Sequence, residues 1–176
     1  MSVYHFGTKW PWIDNVLPIP DQFHTFFTNR SDFYTDYAVK LNKPMMIAET
    51  AAAFHTNSTI SVGPGELAIK QAWWRQFLTN ATYLNLYPKI KLYSIFEIVK
   101  HEGVTHRDFA ITLKPNILQA FKTDFQQVEG FFVEANSTTS QNAGLTGEVV
   151  DYSKSGASCT SPMMSILMSM IYFMIL

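Results

Sequence analysis

Apolar and polar positions change period several times along the chain, and each change marks an element. Residues 2–6 (SVYHF) alternate in the manner of a short strand and stop at Gly7. Residues 10–20 (WPWIDNVLPIP) hold three prolines, which remove backbone donors and bias their predecessors toward extended geometry, so this stretch reads as an aromatic loop. In residues 32–41, Phe33, Tyr37 and Leu41 share a face with Tyr34 and Ala38 beside them, the spacing of an amphipathic helix; Ser31 or Asp32 caps it and Pro44 ends it. The compact run 45–49 (MMIAE), bounded by Asn42 and Ala51-Ala-Ala53, predicts a buried parallel strand ending in an acid. Residues 65–86 place Leu67, Ala68, Ala72, Trp73, Phe77 and Leu78 at helical spacing and predict the longest helix. Residues 90–96 (IKLYSIF) predict a third strand followed by Glu97, and residues 113–128 a last helix with Ile117, Leu118, Phe121 and Phe125 as its stripe.

The resulting order, strand and helix three times over, is the repeat of a parallel α/β sheet. A closed (β/α)8 barrel needs about 250 residues, so three units amount to a portion of one. Beyond residue 128 the pattern fails. Residues 137–161 are rich in Ser and Thr, with Gly144, Gly147 and Gly156, and cannot pack a core, so they read as a flexible stalk. Residues 155–176 carry no charge, and the final 14, residues 163–176, are almost wholly apolar. That is short of the ~20 apolar residues of a spanning helix, and no basic flank accompanies it. It fits the signal for a glycosylphosphatidylinositol (GPI) anchor, with Ser155-Gly-Ala157 or Gly156-Ala-Ser158 as the small-residue cleavage triplet, the alternative being a terminal core helix or a tail-anchor.

Composition sharpens this picture. With 47% apolar and 15% charged residues the chain buries a core, and its 13 basic residues, spread along a chain of net charge −1, form no stripe for nucleic acid. The single Cys159 excludes an internal disulfide framework and multi-cysteine metal patterns. Four N-glycosylation sequons, at Asn29, Asn57, Asn80 and Asn136, point to the secretory pathway. Such a protein needs an N-terminal signal, and residues 1–10 have none, so the expectation is a C-terminal portion of a longer secreted, cell-surface protein held to the membrane by a lipid anchor.

In a barrel the reacting groups stand at the C-terminal ends of strands. Those positions hold Tyr4 and His5, then Glu49, then Phe96 and Glu97. A carboxylate there, with Trp10 and Trp12 as stacking surfaces in the first loop, suits a retaining glycosidase acting on a polysaccharide. The cluster Lys100, His101, Glu102, His106 and Arg107 reads as an ion-paired loop; its histidines are five apart and lack a third ligand, so no metal is expected, and no cofactor either.

The run Lys43-Pro-Met-Met-Ile-Ala-Glu49-Thr50 resembles the seventh-strand signature of clan A glycoside hydrolases, and within that clan family 26, the β-mannanase type of secreted fungal proteins. Ser2-Val-Tyr-His-Phe-Gly7 is similar to the sixth strand, and Lys91-Leu-Tyr-Ser-Ile-Phe-Glu97 with Lys100-His-Glu102 and Arg107-Asp-Phe109 to the eighth. The resemblance implies α/β architecture, the C-terminal portion (about strands 6 to 8) of a TIM barrel over residues 1–127, followed by a linker over 128–162 and the hydrophobic tail 163–176. It further implies Glu49 as nucleophile and Tyr4 as its hydrogen-bonding partner, with His5, Trp10, Trp12, Phe96 and Glu97 around the substrate. Many clan members carry a tryptophan where this chain has Phe96. The family's acid/base glutamate lies on a fourth strand with no counterpart here. Three outcomes are open: a retaining hydrolase of β-linked polysaccharide, mannan or a related wall glycan; a catalytically inactive carbohydrate-binding protein on the same scaffold; or a truncated product with no stable fold, since three units leave parallel strand edges unpaired.

Overall fold

The computed structural model of the chain describes residues 1–8, 10–29, 31–57, 63–133 and 170–175. All of these belong to one compact unit. The stalk, Cys159, the Asn136 sequon and both candidate cleavage triplets lie outside the described residues.

The elements run β1 (Ser2–His5), α1 (Gln22–Thr28), a π-helix (Tyr34–Val39), β2 (Met45–Ala52), β3 (Phe54–His55), α2 (Glu66–Trp74) and α3 (Ala81–Leu86). There follow β4 (Ile90–Phe96), β5 (Val99–Glu102), β6 (Thr105–Asp108), α4 (Pro115–Phe125), a 3-10 turn (Glu129–Phe131), β7 (Phe132–Val133) and β8 (Met170–Ile175). The main sheet has the order β1-β2-β4-β8-β7. β1, β2 and β4 are mutually parallel neighbours, whereas β8 runs antiparallel to both β4 and β7. The architecture is therefore α/β with a mixed, open sheet and no barrel closure among the described residues. A small antiparallel sheet, β3-β6-β5, follows the carboxyl ends of β2 and β4.

Strand alternation divides the main sheet into two faces. Val3, Ile47, Ala52, Tyr93 and Ile95 face the helices and join Phe23, Trp73, Phe77, Leu78, Ile117 and Phe121 in one core. Burying a side chain of this size stabilises the fold by roughly 1.5–3 kcal/mol. The opposite face carries a smaller cluster of Ala51, Ala53, Phe96 and Phe109 with Tyr4, Phe6 and Ile98 against it.

Three elements depart from the sequence expectation. The helix expected over 65–86 breaks after Trp74, and Asn80, extended at φ −117°, starts a new one by accepting the Tyr83 N–H at 3.1 Å. The apolar period passes through the break because both helices lie on one core. The helix expected over 32–41 is a π-helix: Lys40 N–H bonds Thr35 O, five residues back. That geometry buries Tyr34 and Ala38 and leaves Tyr37 and Leu41 outside; Asp32 does accept from Thr35 N–H at 2.9 Å. The third departure is the tail, where Met170–Ile175 forms a sheet strand. No helix among the described residues is long and apolar enough to cross a membrane.

Helices α2 and α4 are clasped by Asp124, which accepts from Arg75 Nε at 2.7 Å and Nη2 at 2.8 Å, Trp74 Nε1 at 2.9 Å and Gln71 Nε2 at 3.1 Å. The Arg75 guanidinium, aided by the other two donors, outweighs burial and holds the Asp124 carboxyl down at about 2. Because the folded value lies below the unfolded one, this stabilisation is complete above about pH 4 and is lost as pH falls toward 2. We expect Asp124→Asn to lower stability at pH 7 by about 1–2 kcal/mol and to flatten the acid limb of a urea-midpoint against pH curve over that window.

Candidate active site

Glu49 is not at the end of its strand; β2 continues through Thr50, Ala51 and Ala52. What aims its side chain is an irregularity. Ile47 pairs with Tyr93 and Thr50 with Ile95, so β2 spends three residues where β4 spends two. This bulge at Ala48 and Glu49 resets the alternation, letting Ile47 and Thr50 both face the helices while Glu49 faces the other way, a device common beside active sites. Trp73 Nε1 donates to Thr50 Oγ1 at 3.1 Å and locks the residue next to Glu49 against α2.

On that opposite face Tyr4 Oη donates to Glu49 Oε2 at 3.0 Å, the contact the family resemblance implies. Burial, then the hydrogen bond and charge of Glu49, push the Tyr4 hydroxyl well above its ordinary range, so it remains a donor at every physiological pH. Tyr4 stacks on Phe6 (centroids 5.2 Å apart) and meets Phe96 and Phe109 edge-on at 5.8 and 5.9 Å. The carboxylate thus stands beside an aromatic floor.

The loop between β1 and α1 is pinned at short intervals. Thr8 N–H and Oγ1 both donate to Asp14, closing a turn at Gly7, whose φ of +120° suits glycine. A methyl group there would sit 2.2 Å from Asp14 Oδ1. Asn15 makes a two-way bond with the His55 backbone, at 2.9 and 2.8 Å. Val16 O bonds His5 Nε2 at 2.9 Å, and Ile19 O accepts from Gln76 Nε2 at 2.9 Å. From this held backbone Trp10 and Trp12 project 77% and 43% exposed, edge to face at 5.0 Å. Large apolar side chains kept in solvent by an ordered loop form a ready stacking platform.

Other expected site residues are turned away. His5 alternates with Tyr4 and so faces the helices; it is buried, its Nδ1 on Gln22 and its Nε2 on Val16 O, and burial lowers its pKa against those two bonds. It ties the loop to α1 from the helix side of the sheet, away from the Tyr4–Glu49 face. Glu97 is buried too, accepting from Ile111 N–H at 2.8 Å and Thr112 Oγ1 at 2.9 Å, which spends both oxygens on tethering the approach to α4. Phe96, only 4% exposed, lies under Phe109 and Lys100 and offers no open stacking surface. The expected site therefore resolves into Tyr4 and Glu49 at the floor, with Trp10 and Trp12 on their loop.

Sequence reasoning missed the hairpin β5–β6, which crosses above that floor. Its turn holds Gly103 at φ +57°. Lys100 Nζ lies 5.1 Å from the Phe96 ring centre, Arg107 Cζ 4.9 Å from that of Phe6, and both cations bond Glu102. Burial raises the Glu102 carboxyl, but these two partners outweigh it and hold it below the usual range. A carboxyl so held is ill suited to give up a proton as a general acid. The signal for this hairpin was present in Val99-Lys-His-Glu102 and Thr105-His-Arg-Asp108 on either side of Gly103-Val104, masked by its charge.

Among the described residues no group of three or more His, Cys, Asp or Glu side chains converges to hold a metal ion. No family model, curated protein or solved structure matches the chain.

Proposed function

We propose that this chain carries the nucleophile-bearing part of a retaining glycoside hydrolase acting on β-linked polysaccharide, mannan or a related wall glycan. The observation that carries the reading is the Tyr4–Glu49 hydrogen bond, set by a bulge on the face opposite the helices and beside an aromatic floor. Parallel neighbours β1, β2 and β4 with helical crossovers support reading them as the sixth, seventh and eighth strands of a (β/α)8 barrel.

In this reaction Glu49 attacks the anomeric carbon as the bond to the leaving oxygen breaks, and the resulting glycosyl ester is then hydrolysed by water. Tyr4 keeps Glu49 oriented with one carboxylate oxygen free to attack. The proton for the leaving group comes from a second carboxyl about 5–5.5 Å from the first. Glu102, bound by two cations, is not that acid, and the family's acid/base position has no counterpart in residues 1–127.

An activated fluoride leaving group needs no protonation, so the nucleophile can be tested by itself. Incubation with 2-deoxy-2-fluoro-β-mannosyl fluoride is expected to leave one covalent sugar on the peptide bearing Glu49, read by mass spectrometry. Glu49→Gln should take no label, and Tyr4→Phe should label on the order of tenfold more slowly. Labelling that persists in Glu49→Gln, or none in the native chain, sinks the nucleophile assignment. The exposed tryptophan pair favours a second reading, sugar binding without turnover; retention on a mannan gel with no label would select it.

A further inference from the structure

Trp12 holds a left-handed backbone at φ +55°, a conformation that a bulky side chain adopts only when its surroundings impose it. Gly7 and Asn15 flank the stretch, yet the left-handed position falls on the tryptophan itself. Among the described residues, Arg107 Nη2 reaches its backbone, donating to Trp12 O at 3.2 Å across 95 positions of chain. The same guanidinium donates through Nη1 to Glu102 and lies over the Phe6 ring, its Cζ 4.9 Å from the centroid, and Phe6 in turn stacks on Tyr4, the partner of Glu49. Its side chain is 12% exposed, and Nε is buried without a partner, so it is held by these contacts and not by solvent.

We infer that Arg107 is a positioning residue that sets the Trp10–Trp12 platform over the nucleophile's floor, joining the loop that would hold a sugar to the side chains that would attack it. The inference deepens the glycosidase reading and rests on it for the ligand, though not for the geometry. A two-armed fork does this: one arm fixes the Trp12 carbonyl, the other the hairpin, while the cation stays over Phe6. A lysine keeps the charge beside Glu102 and Phe6 but gives up the second arm.

The edge-to-face tryptophan pair supplies a readout that needs no ligand, because coupled indoles give an exciton couplet in circular dichroism. Arg107→Met and Arg107→Lys should both lose the couplet while the rest of the far-ultraviolet spectrum and the cooperative urea transition remain, with Trp12→Ala as the baseline of a chain lacking the pair. Mannohexaose binding followed by tryptophan fluorescence should weaken about tenfold in Arg107→Lys. Labelling by the fluorosugar fluoride at saturation should change less than that, since Glu49 keeps Tyr4. A couplet and an affinity unchanged in both variants overturn the inference. If the native chain binds no mannohexaose, the proposed substrate falls, and loss of the couplet in Arg107→Lys still supports the positioning role.

Discussion

Lys70→Ala should destabilise the fold by about 3–5 kcal/mol, the range for stripping one partner from a buried charge network. Lys70 is 1% exposed, and its ammonium uses all three donors: Glu66 Oε1 at 2.6 Å, Asp108 Oδ1 at 2.8 Å and the Ala110 carbonyl at 2.5 Å. Asp108 is 4% exposed and also accepts the Ala110 N–H at 3.0 Å, so the network knots the exit of β6 to α2. Lys114 contacts the same two carboxylates but its side chain is 43% exposed, which leaves it able to offset only a part of the loss. Between Asp108 and Ala110 lies Phe109, whose ring packs on Tyr4 and Phe6, so the knot also supports the floor beneath Glu49.

Urea denaturation checks the magnitude, and pH checks the cause. Burial raises the Asp108 carboxyl, but Lys70 and Lys114 outweigh it and hold the value below the ordinary one. A depressed folded value means stabilisation that is whole above the unfolded carboxylate pKa of about 3.9 and is lost as pH falls through the folded value. The gap between native chain and Lys70→Ala should accordingly narrow in acid. Lys70→Met with Asp108→Asn should recover part of the loss, because the buried charge goes with its partner. A loss under about 1 kcal/mol, the worth of a surface pair, would mean that the network is solvated after all.

Residues that touch one another across the sequence mark where the amino-acid pattern stops being legible. The three parallel strands could be read because their apolar runs are local and short, and the Tyr4–Glu49 pair because a short motif resemblance named both. The bulge that aims Glu49 has no local signal: Ala48 and Glu49 are ordinary strand residues, and the extra position arises only from pairing with β4. The burial of His5 and Glu97 is illegible for related reasons. Being next to a strand's end says nothing of which face a side chain takes, and one position of alternation turns His5 from the floor to the core. Glu97 is captured by the backbone of Ile111 and Thr112, 14 and 15 residues on, a partnership that composition cannot reveal.

Truncating the chain after residue 169, which removes the strand 170–175, is the second change with a large expected effect. Of the apolar tail that reads in the sequence as an anchor signal, residues 170–175 lie along β4, with Leu92 opposite Met174, Tyr93 opposite Phe173 and Phe96 opposite Met170. Phe173 packs on Phe121, Phe125 and Phe132 at 5.8, 5.3 and 5.8 Å, and both it and Ile175 sit against the main core. Losing two such half-buried side chains costs roughly 2–4 kcal/mol before any backbone pairing is counted. The bared edge of β4 would then be a long unpaired strand, the kind that pairs with another molecule. A chain ending at residue 169 should therefore melt earlier, self-associate, and exchange quickly those alternate amide hydrogens of residues 92–96 that face β8, while the ones facing β2 and those of β1 and β2 stay protected. A signal removed during anchoring is dispensable to the fold by definition. If the shortened chain is as stable and as monomeric as the full one, β8 is no working strand, and the same residues are free to serve as the signal for a lipid anchor.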